Sequence, residues 1–141
     1  METEETKTVG LTKDGSYQFG LRKTFRVSPG VAWDYLFTKE GLSIWLGHVG
    51  DPEEVKLNET YRTEEGIEGK LTTFKPYSHF RMSWKKPAWR NSTILQVRVL
   101  DNKGKATIAI HHENLLDRTQ RDEVEVYWNN VMDKLGLKFG D

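Results

Sequence analysis

The sequence contains no cysteine among its 141 residues and only four prolines. The absence of cysteine excludes disulfide bonds, thiol catalysis and cysteine-ligated metal centres. Lysine and arginine total 21, and aspartate and glutamate also total 21, so the formal net charge is zero. A balanced charge provides no long-range attraction to nucleic acid or to anionic lipid.

Long hydrophobic runs are also missing. No apolar stretch reaches the roughly 18 residues that a membrane-spanning helix requires, so no membrane insertion is expected. The chain starts with METEETKTVGLTKDGS, which is acidic and polar, whereas a secretory signal has a basic region followed by an apolar one. With the lack of cysteine, this start predicts a cytoplasmic protein. The length suits one domain, and we expect a flexible segment at 1–15 followed by a single domain at 16–141.

The first regular elements follow this segment. The stretch YQFGLRKTFRV, which starts at Tyr17, has apolar residues mainly at alternate positions and predicts a half-buried strand. Ser28 and Pro29 then predict the start of a helix, as cap and first helical residue. Thr38 predicts the cap of a second helix, which Gly47 ends. Two short, aromatic-rich helices therefore follow the first strand.

The middle of the chain is typical of β-structure. Six strand candidates follow one another: EEVKL, TYRTEE, IEGKLTTF, HFRMSWK, TILQVRVL and KATIAIHHENL. The residues D-N-K-G at 101–104 are a strong signal for a tight hairpin turn. Consecutive strands joined by tight turns predict an antiparallel meander.

The last element has helical periodicity. Apolar residues recur at spacings of three and four positions: Val124, Tyr127, Trp128, Val131 and Leu135. This pattern predicts a long amphipathic helix from about residue 121, with Gly136 as a candidate for its end. Because only this helix is long enough to cover an apolar sheet face, we predict an α+β fold. A curved antiparallel sheet would wrap around the long C-terminal helix, and the two short helices would close one end of the groove between them.

Four stretches match a known family in their order and spacing: FRVSPGVAWDYLFTKEGLSIW, GKLTTFKPYSHFRMSW, GKATIAIHHENL and YWNNVMDKL. Over roughly residues 17–138, the chain resembles the START-like, helix-grip (SRPBCC) superfamily. Within it, the chain is similar to AHSA-type domains, the homologues of the activator of the ninety-kilodalton heat-shock protein ATPase. The resemblance implies a helix-grip fold, in a superfamily that includes lipid and polyketide binders, cyclase-like enzymes and chaperone co-regulators. The family usually has glycine at the position of Tyr127, so a smaller cavity is expected here.

We predict an internal pocket that binds a small hydrophobic ligand, such as a lipid, polyketide or flavonoid-like molecule, because such sites combine apolar walls with few polar anchors. The predicted ligand-binding residues are Trp45, Phe80, Met82, Trp84, Trp89, Val97, His112, Tyr127, Trp128 and Val131. His112 is either a hydrogen-bonded core histidine or the polar anchor of the pocket. Trp89, in a proline-containing loop, is either a lid over the pocket or an exposed contact for a partner.

The sequence supports a catalytic, metal or nucleic-acid site less than it supports a ligand pocket. His111 and His112 are neighbours on a predicted strand and point to opposite faces, so they cannot easily share a metal ion, and no cofactor is expected. The basic run WKKPAWR has no second basic segment beside it, which disfavours nucleic acid. No nucleophile elbow, phosphate-binding glycine loop or serine–histidine arrangement is present. Two alternatives stay open for this expected monomer: a stress-response module that regulates a chaperone ATPase, and a cyclase-like enzyme with His112 as acid or base.

Overall fold

The computed structural model describes residues 11–12 and 15–140 of the chain. The strands are β1 (Tyr17–Phe25), β2 (Thr60–Arg62), β3 (Glu68–Lys75), β4 (His79–Trp84), β5 (Thr93–Asn102) and β6 (Lys105–Leu115). The helices are α1 (Pro29–Leu36), α2 (Lys39–Trp45) and α3 (Arg118–Phe139), and a short 3₁₀ helix covers Pro52–Glu54. The flexible segment expected at 1–15 lies mostly outside the described residues. None of the described helices is both long enough and apolar enough to cross a membrane.

The six strands form one antiparallel sheet in the order β1-β6-β5-β4-β3-β2. The predicted meander is confirmed, and β1 joins it at the edge formed by β6. The β5–β6 turn consists of Lys103 and Gly104, at φ values of 54° and 90°. Positive φ at both turn residues is what a tight type I′ hairpin requires. The carboxylate of Asp101 accepts a hydrogen bond from the backbone N–H of Gly104 at 2.9 Å.

One face of the sheet, here called the inner face, is covered by α3. Strand alternation directs its apolar residues inward; they include Phe80, Met82 and Trp84 of β4, Leu95, Val97 and Val99 of β5, and Ile108 and Ile110 of β6. From α3, the side chains of Val124, Trp128, Val131 and Leu135 are buried against them. The predicted helix-grip α+β fold is confirmed.

The two short helices close one end of the groove between α3 and the sheet, as predicted. Aromatic rings of these helices, and that of Phe37 between them, pack against two phenylalanines of the sheet. The ring centroids of Trp45 and Phe80 are 5.1 Å apart, and those of Phe37 and Phe74 are 5.3 Å apart. Trp33 contacts Phe80 at 6.0 Å. Edge and tilted contacts of this kind add about 0.5–1.5 kcal/mol per pair to the burial of the rings.

Both helix starts use the expected caps. The hydroxyl of Ser28 accepts a hydrogen bond from the N–H of Val31 at 3.3 Å, and the hydroxyl of Thr38 accepts one from Gly41 at 3.0 Å. Between the helices the backbones approach closely. A Cβ atom at Gly41 would lie 1.8 Å from the carbonyl oxygen of Tyr35, so this position admits only glycine.

Two local expectations are wrong. The segment EEVKL does not form a strand, because the carboxylate of Asp51 caps a 3₁₀ turn by accepting from the N–H of Glu53 at 3.0 Å, with Pro52 at its start. Gly136 does not end α3, which continues to Phe139. Gly140, at a φ of 84°, follows the last helical residue.

The long helix also begins earlier than predicted, at Arg118. Asp117 caps it by accepting a hydrogen bond from the N–H of Gln120 at 2.8 Å. The apolar periodicity gave no sign of this additional turn, because its residues are mostly polar. The turn brings Gln120 into the packed structure, where its side chain is buried.

Candidate ligand site

The groove between α3 and the inner face is almost completely filled by side chains. The void at its centre measures about 10 Å³ and is lined by Leu36, Trp45, Phe80, Val97, Ile108, Ile110, Trp128, Val131, Met132 and Leu135. A void of about this size holds one water-sized sphere, whereas small-molecule pockets measure about 300–1,000 Å³. The expectation of a ligand-sized cavity in this groove is therefore corrected. Five of the predicted site residues, Trp45, Phe80, Val97, Trp128 and Val131, line the small void instead.

Tyr127 contributes to this closure. Its hydroxyl donates a hydrogen bond to the carbonyl of Trp45 at 2.6 Å, which ties α3 to the end of α2. Its ring lies 4.9 Å from the ring of Trp128 and 5.4 Å from that of Trp84. Burial, followed by the nearby charge of Glu65, raises the pKa of Tyr127, so the phenol is neutral. A glycine at this position would provide neither the ring nor the hydrogen bond.

His112 is fully buried and belongs to a chain of hydrogen bonds. The indole Nε1–H of Trp128 donates to Nδ1 of His112 at 3.0 Å. The other ring nitrogen, Nε2, lies 2.7 Å from the hydroxyl of Thr93, which donates to the carbonyl of Trp84 at 2.6 Å. Because Nδ1 accepts and the threonine hydrogen is already used, the imidazole carries its proton on Nε2.

This geometry favours the first interpretation of His112, a hydrogen-bonded core histidine. Burial, followed by the charges of His111 and Lys86, lowers its pKa to about 3. The ring is therefore neutral over the physiological pH range. Since both nitrogens are engaged, the imidazole has no free lone pair or proton to offer to a substrate.

A second aromatic cluster lies beside His112. The ring of Trp84 is 4.9 Å from the imidazole and 5.6 Å from the ring of Trp89, in edge contacts. Trp84 is fully buried, yet its Nε1–H has no hydrogen-bond partner among the described residues. A buried donor without a partner costs about 1–3 kcal/mol of folding free energy. This cluster has Tyr127 as its third ring. It contains the one indole donor in the site that is not satisfied within the described residues.

Residues 85–92, here called the lid loop, cover this cluster. The side chain of Trp89 is 7% exposed, so it is not the exposed partner contact that the sequence left open. Its indole Nε1–H donates to a carboxylate oxygen of Glu123 at 3.2 Å. The ammonium of Lys86 lies 5.8 Å from the ring centroid of Trp89 and 5.7 Å from that of Tyr127. Trp89 therefore covers the cluster from the side of the loop.

The lid loop is held mainly at its two ends. At one end, Glu68 and Lys85 exchange backbone hydrogen bonds of 3.1 and 3.0 Å. At the other end, the side-chain amides of Asn91 and Gln120 exchange hydrogen bonds of 3.1 and 2.7 Å. Between these anchors the backbone makes a turn in which the N–H of Trp89 donates to the carbonyl of Lys86 at 3.0 Å.

Sequence reasoning missed three polar residues of this region: Asn91, Thr93 and Gln120. For Thr93 a signal was present, because it precedes Leu95 by two positions and strand alternation directs both inward. For the pair of Asn91 and Gln120 there was none. The two amides lie in different elements, 29 positions apart, and no periodicity connects them.

The other candidates are not gathered at this site. His111 points to the opposite face from His112, as predicted, and contacts Gln18 at 3.1 Å and Glu113 at 3.4 Å. Within residues 11–12 and 15–140, no three histidine, aspartate or glutamate side chains are close enough to hold a metal ion. Met82 is buried on the inner face but does not line the void.

Comparison with known proteins is informative only at the level of structure. No protein-family model matches the sequence, and no curated protein sequence matches it. Among solved structures, CalU16 from Micromonospora echinospora superposes with a TM-score of 0.74 at 15% sequence identity. The match covers 89% of this chain and 78% of CalU16.

Two further similar structures are described as HSP90 activators or Aha1. An HSP90 activator from Plasmodium falciparum has a TM-score of 0.72 at 14% identity, over 85% of this chain and 94% of that protein. The Aha1 dimer from Colwellia psychrerythraea has a TM-score of 0.65 at 16% identity, over 84% of this chain and 92% of that one. Identities this low establish a shared fold and no shared activity. The chain therefore has the START-like helix-grip fold that is also found in CalU16 and in the Aha1-type HSP90 activators.

Proposed function

We propose that the protein reversibly binds a small aromatic molecule beneath the lid loop, in contact with Trp84, Trp89 and Tyr127. The observation that carries this proposal is the buried Nε1–H of Trp84, which lacks a partner among the described residues. A carbonyl or phenol oxygen of a ligand that reached this donor would remove a penalty of about 1–3 kcal/mol. Ring contacts with the surrounding indoles and phenol would add about 0.5–1.5 kcal/mol each.

Such a ligand requires the lid loop to open, because the void of about 10 Å³ admits nothing larger than water. The ligand would take the space of the Trp89 indole, and a tryptophan side chain buries about 150–250 Å². One hydrogen bond of 3.2 Å to Glu123 and the ring contacts hold this indole, while Pro87 and Ala88 of the loop are exposed. The two anchored ends of the loop would stay in position while its central turn moved.

The resemblance to a superfamily that includes lipid and polyketide binders supports the same ligand class. His112 acts in this proposal as a structural residue that fixes Trp84 and Trp128. The neutral imidazole keeps charge away from the aromatic cluster, which suits an uncharged ring system. Lys86 lies at the rim, where its ammonium favours a ligand with an electron-rich or anionic substituent.

A matched pair of soluble ligands tests the role of the unpaired donor. Anthraquinone-2-sulfonate and anthracene-2-sulfonate share a ring system and a sulfonate, but only the quinone has carbonyl acceptors. We expect the quinone to bind about tenfold more tightly, since one satisfied donor contributes about 1.4 kcal/mol. Binding is followed by ¹H–¹⁵N spectra of the indole N–H groups, and the peaks of Trp84 and Trp89 should shift most.

Two substitutions complete the test. Trp84→Phe keeps an aromatic ring but removes the N–H, so it should abolish the preference for the quinone. Trp33→Phe, at the opposite end of the groove, should leave that preference unchanged. If neither ligand, nor a flavonoid, moves the Trp84 and Trp89 peaks of the unmodified protein, the proposal is wrong.

A second candidate function is regulation of an HSP90-class chaperone ATPase. It is favoured by the filled core, which suits an interaction module, and by the similarity to HSP90 activators over almost their whole length. The assay is the ATPase rate of a purified HSP90 chaperone with increasing amounts of this protein. A rate that stays constant up to saturating amounts would eliminate this candidate without affecting the ligand proposal.

A further inference from the structure

On the outer face of the sheet, which points away from α3, a row of residues crosses five strands, and four of its five residues are basic. Strand pairing aligns Arg22 with Ala109, Ala109 with Arg98, Arg98 with His79, and His79 with Lys75. Neighbouring strands lie about 4.8 Å apart, so the row extends over about 19 Å. It contains no acidic residue, although the whole chain has a net charge of zero.

A shallow cleft of about 580 Å³ lies along part of this row. Gly20 and Ala109 form its floor, because neither has a side chain that covers the backbone. Arg22 and Arg98 stand on either side of the floor, and both are exposed. The remaining lining residues are Leu21, Gln96, Ile110 and His111. The cleft is thus open, and two arginines in it are separated by roughly two strand spacings.

Among the described residues, no neighbouring acidic side chain neutralises the charges of the two arginines. Within residues 11–12 and 15–140, neither Arg22 nor Arg98 has an acidic side chain at ion-pair distance. Glu113, an acidic residue of this face, pairs instead with Arg81 at 3.8 Å and with His111 at 3.4 Å.

The pKa of His79 agrees with an excess of positive charge in this region. Burial lowers this pKa, and the charges of Arg98, Lys75 and Arg81 lower it further. A cluster of basic groups that depresses the pKa of a neighbouring histidine favours the approach of a negatively charged partner.

The chemistry of the face discriminates among such partners. Single-stranded nucleic acid is bound on aromatic stacking platforms, and the outward-facing residues of β4, β5, β6 and β1 from Gln18 onward include no tryptophan, tyrosine or phenylalanine. A membrane surface would require apolar side chains that insert, and the basic row has none. Carboxylates suit the face well, because a guanidinium binds a carboxylate through two parallel hydrogen bonds.

We propose that this outer face docks an acidic segment of a partner protein, whose carboxylates pair with Arg22, Arg98 and Lys75. The surface lies on the opposite side of the sheet from the lid loop. The proposal is therefore independent of ligand binding, and each can fail without the other.

The probe is a fluorescein-labelled oligoglutamate peptide, with oligoglutamine of equal length as the uncharged control. Fluorescence anisotropy should show binding of the acidic peptide only, and the affinity should fall as salt is raised. The double variant Arg22→Gln/Arg98→Gln should bind about tenfold more weakly, since two exposed ion pairs of up to about 1 kcal/mol each are lost. The double variant Lys103→Gln/Lys134→Gln, with the same loss of charge elsewhere on the surface, should bind like the unmodified protein.

Several results would overturn the proposal. Equal binding by the two double variants would mean that net charge alone attracts the peptide. Tighter, arginine-dependent binding of single-stranded DNA or of phosphatidylserine vesicles would identify a different partner class. Arginine-dependent self-association in sedimentation velocity would assign the face to a second copy of the chain. If the arginine variant does not fold, peptide-induced ¹H–¹⁵N shifts in the unmodified protein decide. Shifts centred away from residues 20–22, 96–98 and 109–111, and away from Lys75 and His79, would refute the assignment.

Discussion

The buried, neutral His112 should make the fold sensitive to mild acid. Its pKa is about 3 in the folded protein, against an ordinary histidine value of 6.5. Between these two pH values the unfolded chain binds a proton that the folded chain does not, so stability falls as the pH falls. Each pH unit contributes up to about 1.4 kcal/mol, and only about half of this near pH 6.5, so the loss between about pH 6.5 and 4.5 is roughly 2 kcal/mol. For a domain of this size, that is a large part of a total stability of about 5–15 kcal/mol.

Other groups that titrate in this window lie at the surface, and their contributions are smaller. The lowered pKa of His79 adds to the acid-induced loss, whereas the pKa of His48 is raised by its bond to Glu65 and opposes it. Burial raises the pKa of Glu65, but the bonds from His48 outweigh burial and lower the pKa to about 2. The stability that Glu65 provides is present above its unfolded pKa and is lost only as the pH falls towards 2.

The assay is urea unfolding, followed by tryptophan fluorescence at several pH values between about 7 and 4.5. His112→Asn keeps a hydrogen-bonding group without an ionisable ring. We expect this variant to be less stable at neutral pH and to lose most of the pH dependence in this window. His111→Asn is the matched control, because the imidazole of His111 lies on the outer face. In this variant the free energy of unfolding should change with pH as it does in the unmodified protein.

The reasoning would be refuted if His112→Asn and the unmodified protein lost stability equally with falling pH. If the variant does not fold, the ring resonances of His112 in the unmodified protein provide the answer. They should stay constant until the pH falls to about 4, and a midpoint near 6.5 would contradict a buried, neutral imidazole.

Four further substitutions test the packing. Gly41→Ala should cost about 3 kcal/mol in urea unfolding, because the new Cβ would collide with a backbone carbonyl, whereas Gly30→Ala, with no atom within 4 Å, should be neutral or stabilising. Trp89→Ala should lower stability by about 3 kcal/mol and yet speed association of anthraquinone-2-sulfonate in stopped-flow measurements, since the indole no longer has to leave. Asp117→Ala should lower stability by about 1 kcal/mol through loss of the cap of α3, and exchange of the Gln120 amide hydrogen should accelerate.

The fold could be predicted because its determinants are local. The alternation in β4, β5 and β6 fixes which side chains face inward, and the spacing from Val124 to Leu135 fixes the buried side of α3. The wrong predictions also have local causes. In EEVKL the short apolar pattern favoured a strand, but the Asp51 cap and Pro52 stabilise a 3₁₀ turn instead.

The state of the site could not be predicted in the same way. Whether His112 is a core residue or an anchor depends on Thr93 and Trp128, which lie 19 and 16 positions away. The volume of the groove depends on how the rings of α2, β4 and α3 fit together, and sequence patterns do not encode packing at that scale. The basic row of the outer face likewise becomes visible only when strand register aligns Arg22, Arg98 and Lys75.

Tyr127 allows the closed groove itself to be tested. Its hydroxyl holds the carbonyl of Trp45, and its ring fills the space beside Trp84 and Trp128. Tyr127→Phe should cost about 1–2 kcal/mol, because the carbonyl loses its donor, but it should leave the groove closed and ligand affinity unchanged. Tyr127→Ala should cost about 3–5 kcal/mol through loss of the ring.

The two variants separate the hydroxyl from the ring as the cause of closure. In Tyr127→Ala the vacated space adjoins the unpaired donor of Trp84, so anthraquinone-2-sulfonate should bind more tightly than to the unmodified protein and should raise the melting temperature in a concentration-dependent manner. Suppose instead that Tyr127→Ala folds but gains no affinity for the ligand, whereas Tyr127→Phe binds it more tightly. The hydrogen bond from Tyr127 to Trp45 of α2 then controls the access of the ligand to the groove. In that case the opening lies between α2 and α3, and the lid loop is not the part of the molecule that moves.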